Sequence, residues 1–450
     1  AASDVYKRQP LYLIGCVNEI GKRQKADNIS GLLREPSLEE YVSSKSKNNI
    51  TGYFMQIGID DFDEINGRFG LKCGDEILKQ FSMCMQSCIN ENQKIYELGN
   101  GRFIIMDLAN HSKEDILELY DELKKSVEVA LEENVYRVVY TISVGIVEID
   151  KEMKDYDTLI KYSDFALNEA KKKGKNSCYF FTQDKYKQFI RRREIRVELQ
   201  NAVDHNFKNF DVYYQPIIDI HTRNLIGAEA LMRFKMKRNE QIEFISPAEF
   251  IPILEESGLI IPAGRWILRQ AVACCKKWQE FIPEFKVNVN LSYVQIIKSK
   301  ILDEIKQALK DFNLKPALLG IEVTESGYLE NTYHCKKLWS SLKEEGITLI
   351  LDDYGTGYSN AYRLSDLTPH YIKIDRVLTQ KALSSNYERS ILIYIIEMAH
   401  SFKLNVCIEG VETEEELQEI KKLNPDYIQG YLFGKPAPED EFYNRQIKKK

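Results

Sequence analysis

Thr348-Leu349-Ile350-Leu351-Asp352-Asp353-Tyr354-Gly355-Thr356-Gly357 is an apolar run that stops on two adjacent acids and a glycine-rich turn. A short apolar run bounded by turn residues reads as a buried strand. Its punctuation recurs on both sides. Apolar segments at Val212 to Ile218, Leu225 to Leu231, Phe285 to Asn290, Leu318 to Val323, Tyr371 to Ile374, Asn405 to Ile408 and Tyr427 to Leu432 are mostly separated by helical stretches, the pattern of a parallel α/β barrel. Nearly all end on a polar or charged residue: Glu229, Asn290, Glu322, Asp352 with Asp353, Lys373, Glu409 and Gln429. Strand ends of such a barrel converge on one face, where the fold places its chemistry.

Carboxylates and an amide oxygen brought together from separate strands repel one another unless cations sit among them. An all-oxygen set without Cys or His favours Mg²⁺ or Mn²⁺ over Zn²⁺. The adjacent Asp352 and Asp353 could serve two ions, and two metals ~3.5 to 4 Å apart suit displacement at phosphorus. Lys373 and Arg233 supply positive charge for a phosphate and its transition state. Taken singly, an acid after a strand more often caps a helix or faces solvent, and Lys373 near Asp375 could be a surface ion pair of little worth. Recurrence at consecutive strand ends is what argues for a site.

The rest of the chain sets the frame. At 450 residues it is too long for one ordinary core. Hydrophobic residues at 44% and charged residues at 29% give a globular composition with ample material for a core. A formal charge of -6 argues against a nucleic-acid binder held by phosphate neutralisation. The nine cysteines are scattered without metal-ligand spacing, which points to buried thiols in a reducing, cytoplasmic setting. No apolar run approaches the ~20 residues that span a bilayer. Ala1 to Pro10 fits no element and reads as a leader.

From Ile50 to Cys178 short strands and amphipathic helices alternate as in an α+β sandwich. The spacing predicts strands over Gly52 to Ile59, Val135 to Glu148 and Ser177 to Phe181, and a hairpin of Lys94 to Leu98 with Phe103 to Leu108. Helices are expected over Cys73 to Ile89, Lys113 to Glu132 and Tyr156 to Lys173, with another from Arg191 to Phe207 after a boundary near Gln183 to Ile190.

Glu229-Ala230-Leu231 followed by Met232-Arg233-Phe234 resembles the signature of the EAL family of cyclic di-GMP phosphodiesterases. The rest of that family's pattern follows in order: Tyr214-Gln215-Pro216-Ile217 before it, then Pro247 to Ile260, Asn290-Leu291-Ser292, Glu322-Val323-Thr324-Glu325, the run from Asp352, Lys373-Ile374-Asp375, Glu409-Gly410-Val411-Glu412 and Gln429-Gly430-Tyr431. The match covers about Arg191 to Phe442. The resemblance implies a TIM-like (β/α)8 barrel with one strand antiparallel, hydrolysing cyclic di-GMP to linear pGpG with two Mg²⁺ or Mn²⁺ ions. Glu229, Asn290, Glu322 and Asp352 would hold one ion; Asp353 and Glu409, with Asp352 bridging, the other. Lys373 would act on the attacking water, Arg233 on a substrate phosphate, and Gln215 and Gln429 would place the ligand. Glu325 would fix the loop after Asp352 and Asp353, and Glu412 would support the ligand set beside the substrate. The family also implies a homodimer. Met232, Phe234 and Asn360 depart from its commoner residues without removing a ligand. The competing reading is a non-catalytic cyclic di-GMP receptor.

The segment from about Asp27 to Thr182 resembles a GGDEF diguanylate cyclase domain, through Asp27-Asn28-Ile29-Ser30-Gly31-Leu32, Ile59-Asp60-Asp61-Phe62, Gly74-Asp75 and Ser143-Val144-Gly145. Where that family carries its naming turn, this chain reads Gly99-Asn100-Gly101-Arg102-Phe103, and Gly58 stands at a metal-binding Asp position. Cyclisation of GTP needs carboxylates to hold Mg²⁺ against the triphosphate, so the resemblance implies a degenerate, scaffolding or regulatory domain. The family's inhibitory RxxD site is replaced by Asn90 to Gln93. Asn66 and Asp75 match guanine-contacting positions, which leaves GTP as a candidate ligand against the plainer reading that both cap a helix. Tyr12 to Val17 with Asn18 to Lys25 resembles the end of a PAS domain and its exit helix. The expected division is thus 1–26 leader, PAS remnant and linker helix; 27–184 degenerate GGDEF domain; 185–190 linker; 191–445 EAL domain.

Overall fold

The computed structural model describes residues 26–45, 51–109, 111–132, 138–150, 155–238, 240–324, 333–355 and 369–448. The PAS-like stretch, Glu325 and Asn360 lie outside them. The chain divides into two compact units, residues 1–190 and 191–450.

In the first unit β1 (Leu33–Arg34), β2 (Gly52–Ile59), β3 (Gln93–Gly99), β4 (Arg102–Asp107), β5 (Ile142–Ile149) and β6 (Cys178–Phe180) form one sheet in the order β1-β3-β4-β2-β5-β6. Every residue of β2 is buried, because alternate side chains feed two cores. Met55, Ile57, Ile105 and Ile146 pack with Phe81 and Leu123 of helices Leu71–Cys88 and Lys113–Glu132. Phe54, Ile104, Met106 and Val147 pack with Leu38 and Leu159 of helices Glu35–Lys45 and Tyr156–Lys172. Of the strand expected over Val135 to Glu148, residues 135–137 lie outside the described residues, and among the described ones the pairing begins at Ile142. Val138 and Tyr140 are buried in the same core ahead of that pairing, so their alternation imitates a strand. Helices Glu35–Lys45 and Phe62–Phe69 were not foreseen. The latter has Asp61 at its N-cap position, without a side-chain cap bond, and Gly70 precedes the next helix, so neither Asn66 nor Asp75 stands at a cap position.

The helix Gln183–Asp204 contains the division, and residues 185–190 are helical within it. After it come β7 (Phe210–Asp219), β8 (Leu225–Arg238), β9 (Gln241–Ile245), β10 (Lys286–Asn290), β11 (Leu319–Thr324), β12 (Thr348–Tyr354), β13 (Tyr371–Ile374), β14 (Asn405–Glu409), β15 (Tyr427–Gln429) and β16 (Ala437–Pro438). Strands β8 and β10 to β15 pair in parallel, and β7 lies antiparallel between β15 and β8, closing a TIM-like barrel. Beyond Leu231, where its end was expected, β8 continues to Arg238 and forms a hairpin with β9. Met232, Phe234 and Met236 are buried and alternate with Arg233, Lys235 and Lys237, the pattern of a half-solvated antiparallel ribbon.

Helices cover the barrel. Trp278, fully buried at the end of helix Ile260–Trp278, stacks on Phe442 at 4.8 Å and meets Tyr214 edge-on at 4.8 Å. Inside, Ile217, Ile350, Tyr371 and Cys407 form an apolar layer. No disulfide joins any two of the described cysteines. Among the described residues no helix is long and apolar enough to cross a membrane.

Candidate active site

Successive side chains of a strand alternate between faces, so residues two apart share the barrel interior. Register lines up Gln215 with Glu229, Asn290 with Glu322, and Glu409 with Gln429 across neighbouring strands. Each lies at or near the strand end that the sequence marked. Lys373 stands at the centre, 1% exposed. Its ammonium lies 2.9 Å from Glu229 Oε2, 3.0 Å from Glu322 Oε2, 3.3 Å from Asp352 Oδ1 and 2.7 Å from Glu409 Oε1.

Asp353 would ordinarily point away from the face that Asp352 serves. A bulge between Leu351 and Tyr354 and a left-handed φ of 56° at Asp353 re-aim it, and Asp tolerates that conformation better than most residues. Oxygens of Asp352, Asp353 and Glu409 lie within 4.8 Å of one another, as do those of Glu229, Glu322 and Asp352. Asp352 belongs to both groups.

One ammonium cannot balance this many acids. Burial opposes ionisation of Glu229, but Lys373 and amide donors hold its carboxyl below the usual range. Glu322 is pushed well above it, by burial and then by Glu229. Burial raises Asp352 as well, takes Asp353 to about 6 with Asp352 adding repulsion, and takes Glu409 to about 8. Burial also disfavours the Lys373 ammonium, yet Asp352, Glu229, Glu322 and Glu409 together keep its pKa well above that of an ordinary lysine. Asp352 Oδ1, buried, faces the Lys373 ammonium at the longest of these four distances, 3.3 Å. Hard oxygen donors with an unanswered negative field fit divalent cations.

Asn290 Nδ2 donates to Glu229 Oε1 at 2.7 Å. Gln429 Nε2 donates to Gln215 Oε1 at 3.0 Å and to Glu229 Oε2 at 2.7 Å, while its own buried Oε1 has no partner. Arg233 lies over the Tyr213 ring at 5.5 Å, and burial lowers its pKa against the pull of Glu229. Beside it a cavity of about 500 Å³ opens between Arg233, Ile251, Glu255, Asn290 and Tyr293. Glu412 is not drawn into the cluster; its carboxylate pairs with Arg376 at 2.6 Å.

Sequence reasoning missed Asn288 and Tyr371, which underpin the cluster. Asn288 Nδ2 donates to Glu322 Oε1 at 2.8 Å and to the Tyr371 hydroxyl. The signal was present in Val287-Asn288-Val289-Asn290, where Asn288 shares the inward face with Asn290. Also missed was Ser292, whose hydroxyl donates to Glu255 at 2.6 Å on the cavity wall.

The model of the EAL domain matches residues 196–436. The chain belongs to the EAL family. The diguanylate cyclase GGDEF domain model matches residues 25–177. Over 399 residues the chain is 30% identical to the signaling protein YkoW of Bacillus subtilis, covering 88% of this chain and 48% of that one. It is 27% identical over 430 residues to the cyclic di-GMP phosphodiesterase PdeR of Escherichia coli, covering 94% and 64%. The chain therefore spans about half to two thirds of these relatives. A solved structure, the PaMucR phosphodiesterase in complex with c-di-GMP, superposes with a TM-score of 0.52 at 28% identity, over 55% of this chain and 99% of that one.

Proposed function

We propose that the EAL unit hydrolyses one phosphodiester bond of cyclic di-GMP to give linear pGpG, with Mg²⁺ or Mn²⁺ held by Glu229, Asn290, Glu322 and Asp352 and by Asp352, Asp353 and Glu409. The observation that carries this reading is the buried cluster in which those carboxylates surround a single ammonium. Bound ions would supply Lewis acidity toward the phosphate and lower the pKa of water. The protein's own groups do the rest. Arg233 takes a phosphate oxygen, Gln215 and Gln429 orient the ligand through the unpartnered Gln429 Oε1, and Lys373 holds positive charge where negative charge grows in the transition state. The cavity of about 500 Å³ beside Arg233 suits a nucleotide half of the substrate. Water forms the new bond to phosphorus, the bond to the 3′ oxygen breaks, and that oxygen leaves with a proton.

In the GGDEF unit, cyclase chemistry lacks its acids. A side chain at Gly58 would begin 3.2 Å from the Lys171 ammonium, and one at Gly101 would begin 2.8 Å from the Phe62 ring. Arg102 faces Asp164 at 3.5 Å. Gly58, Gly101 and Arg102 thus offer no carboxylate at positions where the family resemblance implies ligands to Mg²⁺, and we infer a unit that forms no cyclic di-GMP from GTP.

The test is to incubate the full chain with cyclic di-GMP and Mg²⁺ or Mn²⁺, with the Asp352→Asn variant alongside, and to separate nucleotides by chromatography. Appearance of pGpG, lost in the variant, is the expected result. Binding without turnover at every metal concentration would instead favour the receptor reading.

A further inference from the structure

The opposite mouth of the barrel is also open. A cavity of about 710 Å³ lies among the residues that begin the strands, with Gly227, Lys286, Thr348, Tyr371, Asn405 and Tyr427 on its wall. This face of such barrels ordinarily serves stability alone. Here its described lining carries Lys286, Lys343 and Lys403 together with His370, and no carboxylate, in a chain whose formal charge is -6. Among the described residues neither Lys286 nor Lys403 makes an ion pair. His370 Nδ1 accepts a hydrogen bond from the Leu349 amide at 3.0 Å, which puts its proton on Nε2 as a donor. Burial, and behind it the fields of Lys343 and Lys286, hold the imidazole below its usual pKa, so the cavity is positive without it. Beside the neutral polar Asn288, Thr348 and Asn405, the wall carries apolar and aromatic groups from Ile217, Phe402, Leu404 and Tyr427.

Its floor touches the candidate metal cluster. Asn288, 2% exposed, lines this cavity and bridges the Tyr371 hydroxyl to Glu322. Gly320 leaves the room that bridge needs: a Cβ there would lie 2.2 Å from Asn288 Oδ1. A ligand that shifts Tyr371 or Asn288 therefore moves a carboxylate on the far side.

We propose that this mouth binds a small phosphate-bearing anion with a flat apolar body, of nucleoside monophosphate size, and that occupancy is transmitted to Glu322 through Tyr371 and Asn288. Lysines suit a phosphate as point charges, aromatic walls accept a base without sequence preference, and the volume fits a ligand of that size. The transmission rests on the metal reading given above; the binding does not.

Calorimetric titration of the full chain with AMP and GMP, and separately with adenosine and inorganic phosphate, tests the site. Both nucleotides should bind more tightly than either fragment, and the Lys286→Glu/Lys403→Glu variant should lose about tenfold or more in nucleotide affinity while binding Mg²⁺ as before. Lys286→Ala/Lys403→Ala, with a melting curve, guards against a folding artefact. No nucleotide binding, or equal binding by these variants and the unaltered chain, overturns the site. Magnesium titrations with and without saturating nucleotide test the transmission. The expected change in Mg²⁺ affinity is about fivefold, and it should vanish in Tyr371→Phe with nucleotide still bound. An unchanged Mg²⁺ affinity overturns the coupling. If Mg²⁺ fails to bind at all, the metal reading falls while the nucleotide titrations still decide the site.

Discussion

Lys373 is buried only because acids surround it, and the acids tolerate one another only because it is there. Its hydrogen bonds to Glu229 and Glu322 are 2.9 and 3.0 Å, with Asp352 and Glu409 completing the shell. Removing one member of a buried, compensated set leaves the others stranded, at a cost of about 3–5 kcal/mol. Lys373→Met should therefore destabilise the metal-free protein by that amount, measured by urea denaturation in chelator, and saturating Mg²⁺ should recover more stability in the variant than in the unaltered chain. Equal metal-free stabilities would show that the ammonium does not hold the cluster. The residues of this shell were legible in the sequence, since each follows an apolar strand. What the pattern left out was Asp353's orientation, because period-two alternation sends neighbours to opposite faces and only the bulge reverses that. Asn288 was hidden for a different reason: an amide inside a barrel strand reads as polar punctuation until the register sets it against Gly320 and Glu229.

At the scale of elements, the strands that carry the cluster are held to a spacing with no slack. β10 and β11 bring Asn288 opposite Gly320, and a Cβ at 320 would also lie 2.7 Å from Ile350 Cδ1 on the next strand. Gly320→Ala must then push Asn288 away from Glu322 or spread the strands. The expected loss is about 1–3 kcal/mol, with weaker Mg²⁺ binding, read from a denaturation curve and a magnesium titration; unchanged values for both would mean the barrel yields there freely. The strand series was legible because parallel strands buried on both faces read as apolar runs. The β8–β9 hairpin escaped notice because Met232 to Arg238 mixes buried and solvated positions after the run has ended. Short helices such as Phe62–Phe69 escaped because two turns carry too little periodicity to register.

Across the whole molecule the two units own separate cores, and only the second carries the described acidic cluster. That asymmetry sets how stability answers to pH and metal. Glu322 and Asp352 have folded pKa values above their ordinary ones, Asp353 is raised to about 6 and Glu409 to about 8. Groups raised in this way bind more protons folded than unfolded. Stability therefore falls as pH climbs from the ordinary carboxylate range through the folded values. Glu229, lowered, acts in the opposite sense but only below its ordinary value of 4.5, outside this window. Lys373, raised, contributes fully until pH passes the ordinary lysine value of 10.5. Between pH 5 and 8 these carboxyls tilt the stability of the EAL unit without metal downward, at about 1.4 kcal/mol per pH unit for each proton difference, opposed only by the single lowered imidazole of His370 among the described shifted groups. Mg²⁺ requires the deprotonated carboxylates, so its stabilising effect must grow over the same interval. Calorimetry of the full chain in chelator and in saturating Mg²⁺, at pH 6 and pH 8, should show one transition that drops with pH and is rescued by the metal most strongly at pH 8. The transition of the GGDEF unit should stay where it was, since Gly58, Gly101 and Arg102 offer that ion no carboxylate. Metal rescue that is equal at both pH values would contradict the raised carboxyls, and a metal-dependent shift of the GGDEF transition would show that its own site still takes the ion.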